Sequence, residues 1–268
     1  MEQINLTIII PTLNSYKIIG ELIGSLKKQI YKKWEVLFID GNSNTKHKKY
    51  LLNICSNDKR FRLVEENKAK GIYSAMSYGM KKVNPKNWIL FMGSDDKLSD
   101  NYVLEKIIKE LNINSKSKKR FDVIFCKSRY IKGKKLRRIS SFFKKSNYKI
   151  FSSQEIKEKL FWGYCPPHQG TIIGPNVRKL NLSFSHDYSL AGDLDYLLLL
   201  TQQLNLKYKS IDLEISLLES DGISNKQTFK RIIEVIKIYK KFYGFLFFVP
   251  LFLRYLRRIK SKYNIFYD

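Results

Sequence analysis

Two adjacent carboxylates, Asp95 and Asp96, follow a run of apolar residues. The run covers residues 88–92, and Gly93 and Ser94 separate it from the two acids. An apolar run of this length predicts a strand that is buried on both faces of a parallel sheet. Open α/β sheets bind ligands at the carboxyl ends of their strands, and paired carboxylates there suit a divalent cation that holds a diphosphate. Gly-Ser-Asp-Asp is also ordinary turn chemistry, so this stretch alone leaves a metal site and a solvated turn open.

Polar residues also follow the first two predicted strands. Thr12 and Asn14 follow the first apolar stretch of the chain, and Asp40 follows the buried run at residues 34–39. Right-handed crossovers between parallel strands place the loops at their carboxyl ends on one edge of the sheet. We therefore expect these three residues to line one rim together with the paired carboxylates. Such a rim predicts a crevice that binds a nucleotide.

Three more polar residues in the second half of the chain have spacing that suits chemistry. His168 stands in a loop just ahead of a predicted strand, either as a site residue or as a capping, hydrogen-bonded histidine. Asp193 and Asp195 fall in the first turn of an apolar helix that is predicted to end near residue 204. The helix dipole favours acids at that end in any case, so the spacing alone does not assign them a catalytic role.

The composition bounds the classes of partner. The chain has 268 residues, 44% of them hydrophobic, which argues against wholesale disorder. Lys and Arg number 50 against 24 Asp and Glu, a net charge of +26. This balance predicts an anionic partner, which is nucleic acid, an anionic membrane surface or a phosphorylated substrate, although an AT-rich coding bias would also inflate lysine. The three cysteines have no metal-type spacing, which predicts a reduced, cytosolic chain without a structural zinc site.

Strands and helices alternate along the first half of the chain. We predict strands at residues 5–10, 34–39, 61–64 and 88–92, and helices at 18–29, 46–55 and 72–83. The alternation predicts an α/β fold with a mainly parallel, Rossmann-like central sheet flanked by helices. The first strand is too short to be a signal peptide. Beyond it we predict antiparallel strands at 122–126 and 128–131, and a basic stretch at 132–149 that is either a solvated loop or an arm for an anionic acceptor.

The carboxyl-terminal segment is both basic and apolar. Residues 230–241 have helical spacing, and residues 242–253 are almost all apolar. The apolar run is too short to span a bilayer, but a basic amphipathic segment fits the membrane interface. The alternative is a helix packed on the domain's own surface. We predict a domain at residues 1–227 and a membrane-associating helical segment at 228–268.

Seven short motifs follow one another along residues 4–224: Pro11-Thr-Leu-Asn14, Ile39-Asp-Gly-Asn-Ser43, Lys70-Gly-Ile-Tyr73-Ser-Ala-Met76, Gly93-Ser-Asp-Asp96, His168-Gln169, Ala191-Gly-Asp-Leu-Asp195 and Gly222-Ile-Ser224. Their order resembles that of family 2 glycosyltransferases, and it is closest to the bacterial branch that builds cell-surface polysaccharides. The resemblance implies the single-domain GT-A fold, which agrees with the alternation of strands and helices.

The resemblance also implies a role for each motif. Asp193 matches the base that takes a proton from the acceptor hydroxyl. Asp95 and Asp96 match the acidic motif that holds Mn²⁺ or Mg²⁺ against the diphosphate. Residues implied to bind the donor nucleotide are Pro11, Thr12, Asn14, Asp40, Lys70, Ser94 and Asp95. Residues implied to lie near the acceptor or diphosphate are His168, Gln169 and Asp195. The family inverts the anomeric configuration in one displacement.

Several positions depart from the family pattern. Gly93 stands where another Asp or Asn usually precedes the acidic pair, and Ser74 and Ser77 replace a polar pair. Ala69 replaces an acid, and residues 196–200 lack the arginine that usually follows the base. The altered positions surround the sugar and phosphates, so the resemblance leaves the donor's identity open.

The expected activity is the transfer of a hexose or N-acetylhexosamine from a nucleoside-diphosphate sugar, with a UDP-sugar as the first expectation. The expected acceptor is a glycan or a polyprenyl-linked sugar in the synthesis of capsule, O-antigen or exopolysaccharide, at the inner face of the cell membrane. One alternative is a non-catalytic nucleic-acid-binding protein, suggested by the charge and interleaved aromatic residues. Another is a degenerate transferase that serves as a membrane scaffold. The acids at the predicted crevice argue against both.

Overall fold

The computed structural model describes residues 6–66, 71–117, 120–132, 135–140, 150–219 and 227–263. The strands are β1 (Leu6–Thr12), β2 (Trp34–Asp40), β3 (Phe61–Glu65), β4 (Trp88–Phe91), β5 (Lys97–Leu98), β6 (Val123–Lys132), β7 (Lys135–Ser140), β8 (Ile150–Ser152), β9 (Thr171–Ile173) and β10 (Lys207–Glu219). The helices are α1 (Gly20–Lys27), α2 (Thr45–Asn57), α3 (Ile72–Lys82), α4 (Val103–Lys116), α5 (Ser153–Phe161), α6 (Pro175–Lys179), α7 (Gly192–Thr201), α8 (Thr228–Tyr243) and α9 (Phe248–Tyr263).

The ten strands of the described residues belong to one mixed sheet, whose main path runs β3-β2-β1-β4-β9-β6-β10-β5. Strands β3, β2, β1 and β4 are parallel neighbours, so the loops after β1, β2 and β4 share one edge. Strand β9 joins the two halves of the sheet, since it pairs antiparallel with both β4 and β6. The predicted α/β fold with a central sheet flanked by helices is confirmed.

The hydrophobic core has two parts, one on each face of the sheet, because successive strand residues point to opposite faces. In β1, Ile9 packs on the face covered by α3, α5, α7 and α8. Its neighbours Ile8 and Ile10 pack on the other face, against α1, α2 and α4. Runs such as β1 and β4 are buried on both faces, which is why they lack the alternation of a half-exposed strand.

Three details differ from the sequence-based expectations. The strands predicted at 122–126 and 128–131 are one strand, β6, which lies parallel to β10 and antiparallel to β7 and β9. Lys127, which lies between the two predicted strands, pairs with Glu214 of β10 within one continuous strand, and its side chain forms an ion pair with Asp212. Helix α4 was not predicted, and within the basic stretch residues 135–140 form β7. Residues 133–134 and 141–149 lie outside the described part.

The carboxyl-terminal helices pack on the domain on one side only. Val235, Ile238 and Tyr239 of α8 are fully buried in the same core as α3 and α7. No helix in the described ranges is long and apolar enough to cross a bilayer. Several apolar side chains of this region face solvent instead: Phe245, Leu246, Phe248, Phe252 and Ile259. The predicted domain boundary at residue 227 stays a prediction.

Candidate active site

The loops after β1 and β2 are joined by a network of hydrogen bonds. The Asn14 N–H donates to Ser43 Oγ at 2.8 Å, and Asn14 Oδ1 accepts from the Asn44 N–H at 2.9 Å. Asn14 takes a positive φ of 52°, which asparagine tolerates better than most residues. The Ser43 N–H donates to Asp40 Oδ2 at 2.9 Å, and Thr12 Oγ1 donates to Asp40 Oδ1 at 3.3 Å. The structure therefore brings together Thr12, Asn14 and Asp40, as the sheet topology predicts.

Asp40 is fully buried, and the hydrogen bonds that it accepts from Thr12 and Ser43 hold these loops in place. His47, in the first turn of α2, is also fully buried, with its Nε2 3.4 Å from Asp40 Oδ1. Burial lowers the pKa of His47, and the charge of Asp40 opposes that shift. The neutral imidazole of His47 thus forms part of the buried surroundings of the Asp40 carboxylate. A contact between Asp40 and a nucleobase or ribose stays a prediction.

The acidic pair after β4 divides into an exposed and a buried carboxylate. Asp95 is exposed, whereas Asp96 is 4% exposed. Asp96 Oδ2 accepts from the Gly93 N–H at 2.6 Å and from Gln169 Nε2 at 3.0 Å. Burial, and then the charge of Asp95, raises the pKa of Asp96 to about 8. Ser94 ties this loop to the end of β1, because its Oγ donates to the Pro11 carbonyl at 3.0 Å.

The fold of this loop explains the glycine at position 93. A Cβ added to Gly93 would lie 2.8 Å from Asp96 Oδ2 and 3.0 Å from Asp95 Oδ1. Both carboxylates therefore fold back over a position that has no room for a side chain. Glycine therefore stands where the family usually carries an acid, and the side chains of Asp95 and Asp96 occupy the space that such an acid would need.

The acidic pair offers a cation few protein ligands. Among the described residues there is no group of three or more His, Cys, Asp or Glu side chains that could hold a metal ion. Mg²⁺ commonly keeps several waters and binds through one or two carboxylates plus substrate phosphates. The exposed carboxylate of Asp95, with buried Asp96 behind it, fits that mode, in which diphosphate and water complete the coordination.

Helix α7 presents Asp193 beside α3. A Cβ on Gly192 would lie 2.7 Å from Tyr73 Cδ2, so this glycine lets the helix start directly against the Tyr73 ring. The Tyr73 hydroxyl lies beside the backbone N–H of Asp193. Asp193 is partly exposed, and its Oδ1 accepts from the Leu194 N–H at 2.8 Å. One carboxylate oxygen is thus fixed by the helix start, which orients the side chain.

Helix α8 holds the start of α7 at two points. Glu234, 6% exposed, accepts hydrogen bonds from the Ser189 N–H at 3.0 Å and the Ser189 hydroxyl at 2.9 Å. It also accepts from the N–H groups of Leu190 and Ala191 at 2.8 and 2.9 Å. Lys241 Nζ lies 2.7 Å from Asp195 Oδ1. The backbone that leads into the Asp193 turn is therefore anchored by the carboxyl-terminal segment.

Asp195 is 1% exposed in this arrangement. Its implied contact with acceptor or diphosphate stays a prediction, and it requires the ion pair with Lys241 to open.

His168 is close enough to both acidic sites for their charges to act on it. It is partly exposed, and its buried Nδ1 has no hydrogen-bond partner among the described residues. Burial lowers the pKa of His168, whereas the charges of Asp193 and Asp95 both act to raise it. The charges of Asp193 and Asp95 therefore act on one imidazole, while the neighbouring Gln169 donates a hydrogen bond to Asp96. The implied donor residue Lys70 lies outside the described part of the chain.

The family model for glycosyl transferase family 2 matches residues 7–167. This chain belongs to glycosyl transferase family 2. A PGL/p-HBAD biosynthesis glycosyltransferase of Mycobacterium bovis is 30% identical over 102 residues, which cover 38% of this chain and 39% of that relative. The chain thus spans well under half the length of the curated relatives it matches.

Solved structures of other glycosyltransferases share the fold. S. aureus TarS 1–349 in complex with UDP-GlcNAc superposes with a TM-score of 0.70 and 18% identity, covering 89% of this chain and 65% of that TarS chain. A mannosyltransferase from Pyrobaculum calidifontis, in complex with GDP-Man and Mn²⁺, has a TM-score of 0.62 and 13% identity, covering 92% of this chain and 69% of its own. At such identities these likenesses establish the GT-A fold of this family 2 chain.

Sequence reasoning did not find His47, Glu234 or Lys241. Glu234 carried one signal, since it stands among apolar residues on the inward face of α8, next to Val235. A carboxylate on an apolar face needs hydrogen-bond donors, but the sequence does not show that they come from residues 189–191.

Proposed function

We propose that this family 2 member transfers a sugar from a nucleoside-diphosphate sugar to an acceptor hydroxyl with inversion at the anomeric carbon. The observation that supports this most is the convergence at one sheet edge of Thr12, Asp40 and the acidic loop, which Ser94 joins to the Pro11 carbonyl at 3.0 Å. The charges of Asp193 and Asp95 both act on His168, which supports our proposal that the base and the acidic rim serve one crevice. A direct displacement needs the base on one side of the sugar and the diphosphate on the other.

In this proposal each residue has a defined task. Asp193 accepts the proton of the attacking hydroxyl through its carboxylate. Asp95 and Asp96 would hold Mn²⁺ or Mg²⁺, which when bound would stabilise the negative charge on the departing diphosphate. Gln169 fixes the buried carboxylate of Asp96 through its hydrogen bond. Thr12 and Asn14 border the nucleotide, and Ser94 fixes the acidic loop to the first strand.

The choice of substrates is supported by related proteins. TarS has been observed with UDP-GlcNAc and with UDP, and the archaeal mannosyltransferase with GDP-Man and Mn²⁺. We propose a UDP-sugar as donor, with a hexose or N-acetylhexosamine, and a divalent cation as cofactor. We further propose a glycan or polyprenyl-linked acceptor in the synthesis of capsule, lipopolysaccharide or another surface polysaccharide.

We also propose that the carboxyl-terminal helices dock on the inner face of the membrane. Phe248, Phe252 and Ile259 lie on one stripe of α9, at helical spacing, and are 49%, 67% and 54% exposed. Phe245, 86% exposed, packs against Phe248 with ring centroids 6.0 Å apart. Basic residues of the same helix, such as Arg258, flank this stripe. Apolar side chains beside basic ones suit an interface of anionic lipids.

The proposed donor site is tested by nucleotide binding. We expect UDP with Mn²⁺ to raise the melting temperature of the protein. At a UDP concentration of 100 times the dissociation constant, the free energy of unfolding should rise by about 2.7 kcal/mol. UDP with EDTA is expected to give a smaller shift. Hydrolysis of a panel of nucleotide sugars in the presence of Mn²⁺ then identifies the donor. The absence of a shift with every nucleoside diphosphate plus metal would refute the proposal.

The proposed membrane contact is tested with vesicles. We expect the double variant Phe245→Ser/Phe252→Ser to bind anionic vesicles at least about tenfold more weakly than the wild type, because inserting one large apolar side chain contributes about 1.5–3 kcal/mol. Co-sedimentation with phosphatidylglycerol vesicles measures this. Leu204→Ser is the control, since Leu204 is 76% exposed but lies after α7. Equal binding by the double variant and the wild type would contradict the membrane contact.

A further inference from the structure

Helix α9 crosses closely over the loop that precedes His168. Gly163, at a φ of +81°, lies so close to α9 that a Cβ there would be 2.6 Å from the Arg254 backbone. Arg257 Nε donates to the Trp162 carbonyl at 2.7 Å, and its guanidinium stacks 3.8 Å above the Tyr164 ring. These contacts fix the register of α9 on the loop. They also turn Arg254 into the protein interior.

Arg254 is a buried cation without a bonded counter-ion. It is 7% exposed, and neither its Nε nor its Nη1 has a hydrogen-bond partner among the described residues. None of the ion pairs within the described ranges includes it. Buried guanidinium groups are ordinarily paired and hydrogen-bonded, because an isolated buried charge is unfavourable. Two free donors at one buried guanidinium therefore indicate a missing acceptor.

The groups around Arg254 do not supply a charged acceptor. Cys165 and Tyr239 lie within hydrogen-bonding reach of the guanidinium, and burial raises the pKa of both side chains. A thiol and a phenol with raised pKa values are neutral near pH 7, so neither is a counter-ion. The carboxylate whose charge acts on Arg254 is Asp193, the proposed base. The free donors thus belong to the neighbourhood of the reacting groups.

We propose that the Arg254 guanidinium binds a phosphate oxyanion of a substrate next to Asp193, an inference that rests on the proposed transferase function. A guanidinium presents its N–H groups as a planar fork that matches phosphate oxygens. The phosphate belongs either to the donor diphosphate or to a lipid-linked acceptor. The second source agrees with the position of Arg254 on α9, whose opposite face carries the exposed Phe252. Either way the carboxyl-terminal segment contributes a substrate-binding residue.

Two variants of one helix separate this role from a structural one. Arg254→Met is expected to weaken binding of one diphosphate about 10- to 100-fold, as removal of charge-assisted hydrogen bonds does. It is expected to leave the melting temperature unchanged or raised, because an apolar side chain replaces an unpaired buried charge. Arg257→Met is the matched control. It should keep the wild-type affinity and lower the melting temperature, since Arg257 makes structural contacts only. Arg254→Lys keeps the charge and should retain part of the affinity.

The probes are UDP with Mn²⁺ for the donor and farnesyl diphosphate for the acceptor, with farnesol as the control for apolar binding. Titration calorimetry gives the affinities, and thermal unfolding gives the melting temperatures. Weaker binding of UDP by Arg254→Met assigns the residue to the donor, and weaker binding of farnesyl diphosphate assigns it to the acceptor. Wild-type affinity for both probes in Arg254→Met would overturn the inference, while UDP binding by the wild type would leave the transferase proposal standing. A wild type that binds neither probe would overturn the inference as well.

Discussion

Asp193→Asn is expected to lower the rate of sugar transfer by about 10²- to 10⁴-fold, which is the usual contribution of a general base. Asparagine has nearly the same shape as aspartate but cannot accept the hydroxyl proton. Its side-chain oxygen can still accept from the Leu194 N–H, as Asp193 Oδ1 does at 2.8 Å. The helix start should therefore keep its structure, and UDP binding should stay close to that of the wild type. Transfer rates under saturating donor and acceptor measure the effect.

Asp187→Asn is a suitable control for this prediction. Asp187 is an exposed acid in the loop before α7, where it accepts from the Ser185 hydroxyl at 3.1 Å. It does not touch the crevice, so its variant should transfer sugar at the wild-type rate. If Asp193→Asn kept the full rate as well, the base would have to be another residue.

Glu234→Leu is expected to destabilise the protein and to impair catalysis together. Leucine would leave the N–H groups of residues 189–191 and the Ser189 hydroxyl without their acceptor. The buried Ala191 N–H without a partner costs about 1–3 kcal/mol, and the more exposed donors of residues 189 and 190 add less, so a loss on the order of 3 kcal/mol is expected. For a domain of this size that loss lowers the melting temperature by roughly 6–12 °C. The transfer rate should also fall at temperatures where the variant is folded, because the turn that carries Asp193 loses its anchor.

Glu21→Gln provides the contrast. Glu21 is also a glutamate with a close partner, Lys97 Nζ at 2.7 Å, but its side chain is 74% exposed. Exposed ion pairs contribute about 0–1 kcal/mol, so this variant should unfold near the wild-type temperature and transfer sugar normally. Equal melting temperatures for Glu234→Leu and the wild type would show that the start of α7 does not depend on α8.

The fold was predictable because its main signals are local. Apolar runs such as β1 and β4 end in polar loops, and parallel strands bring those loops to one edge. The same logic predicts that Thr12, Asn14 and Asp40 lie close together. The division of the acidic pair into exposed Asp95 and buried Asp96 was not predictable, because it depends on a hydrogen bond from Gln169, 73 residues away.

The contacts that anchor α7 to α8 could not be predicted from the sequence for a similar reason. Glu234 and its donors are up to 45 residues apart, and Lys241 reaches Asp195 across a similar distance in sequence. The basic, apolar composition of the last segment suggested an attachment to lipid. The inward face of α8 instead joins the core, while the outward side chains of α9 keep the composition expected of an interface. Composition alone averages over the two faces of a helix and does not distinguish them.

The contacts between α8 and the start of α7 have a practical consequence for protein production. The basic, apolar segment after residue 227 is an obvious target for deletion by anyone who wants a better-behaved protein. Deletion would remove the acceptor for residues 189–191 and also Val235, Ile238 and Tyr239 from the core. The shortened chain would retain every motif of the family and lack the support that positions the motif at residues 191–195. Substitution of the outward phenylalanines is the safer route, because it leaves the inward face intact.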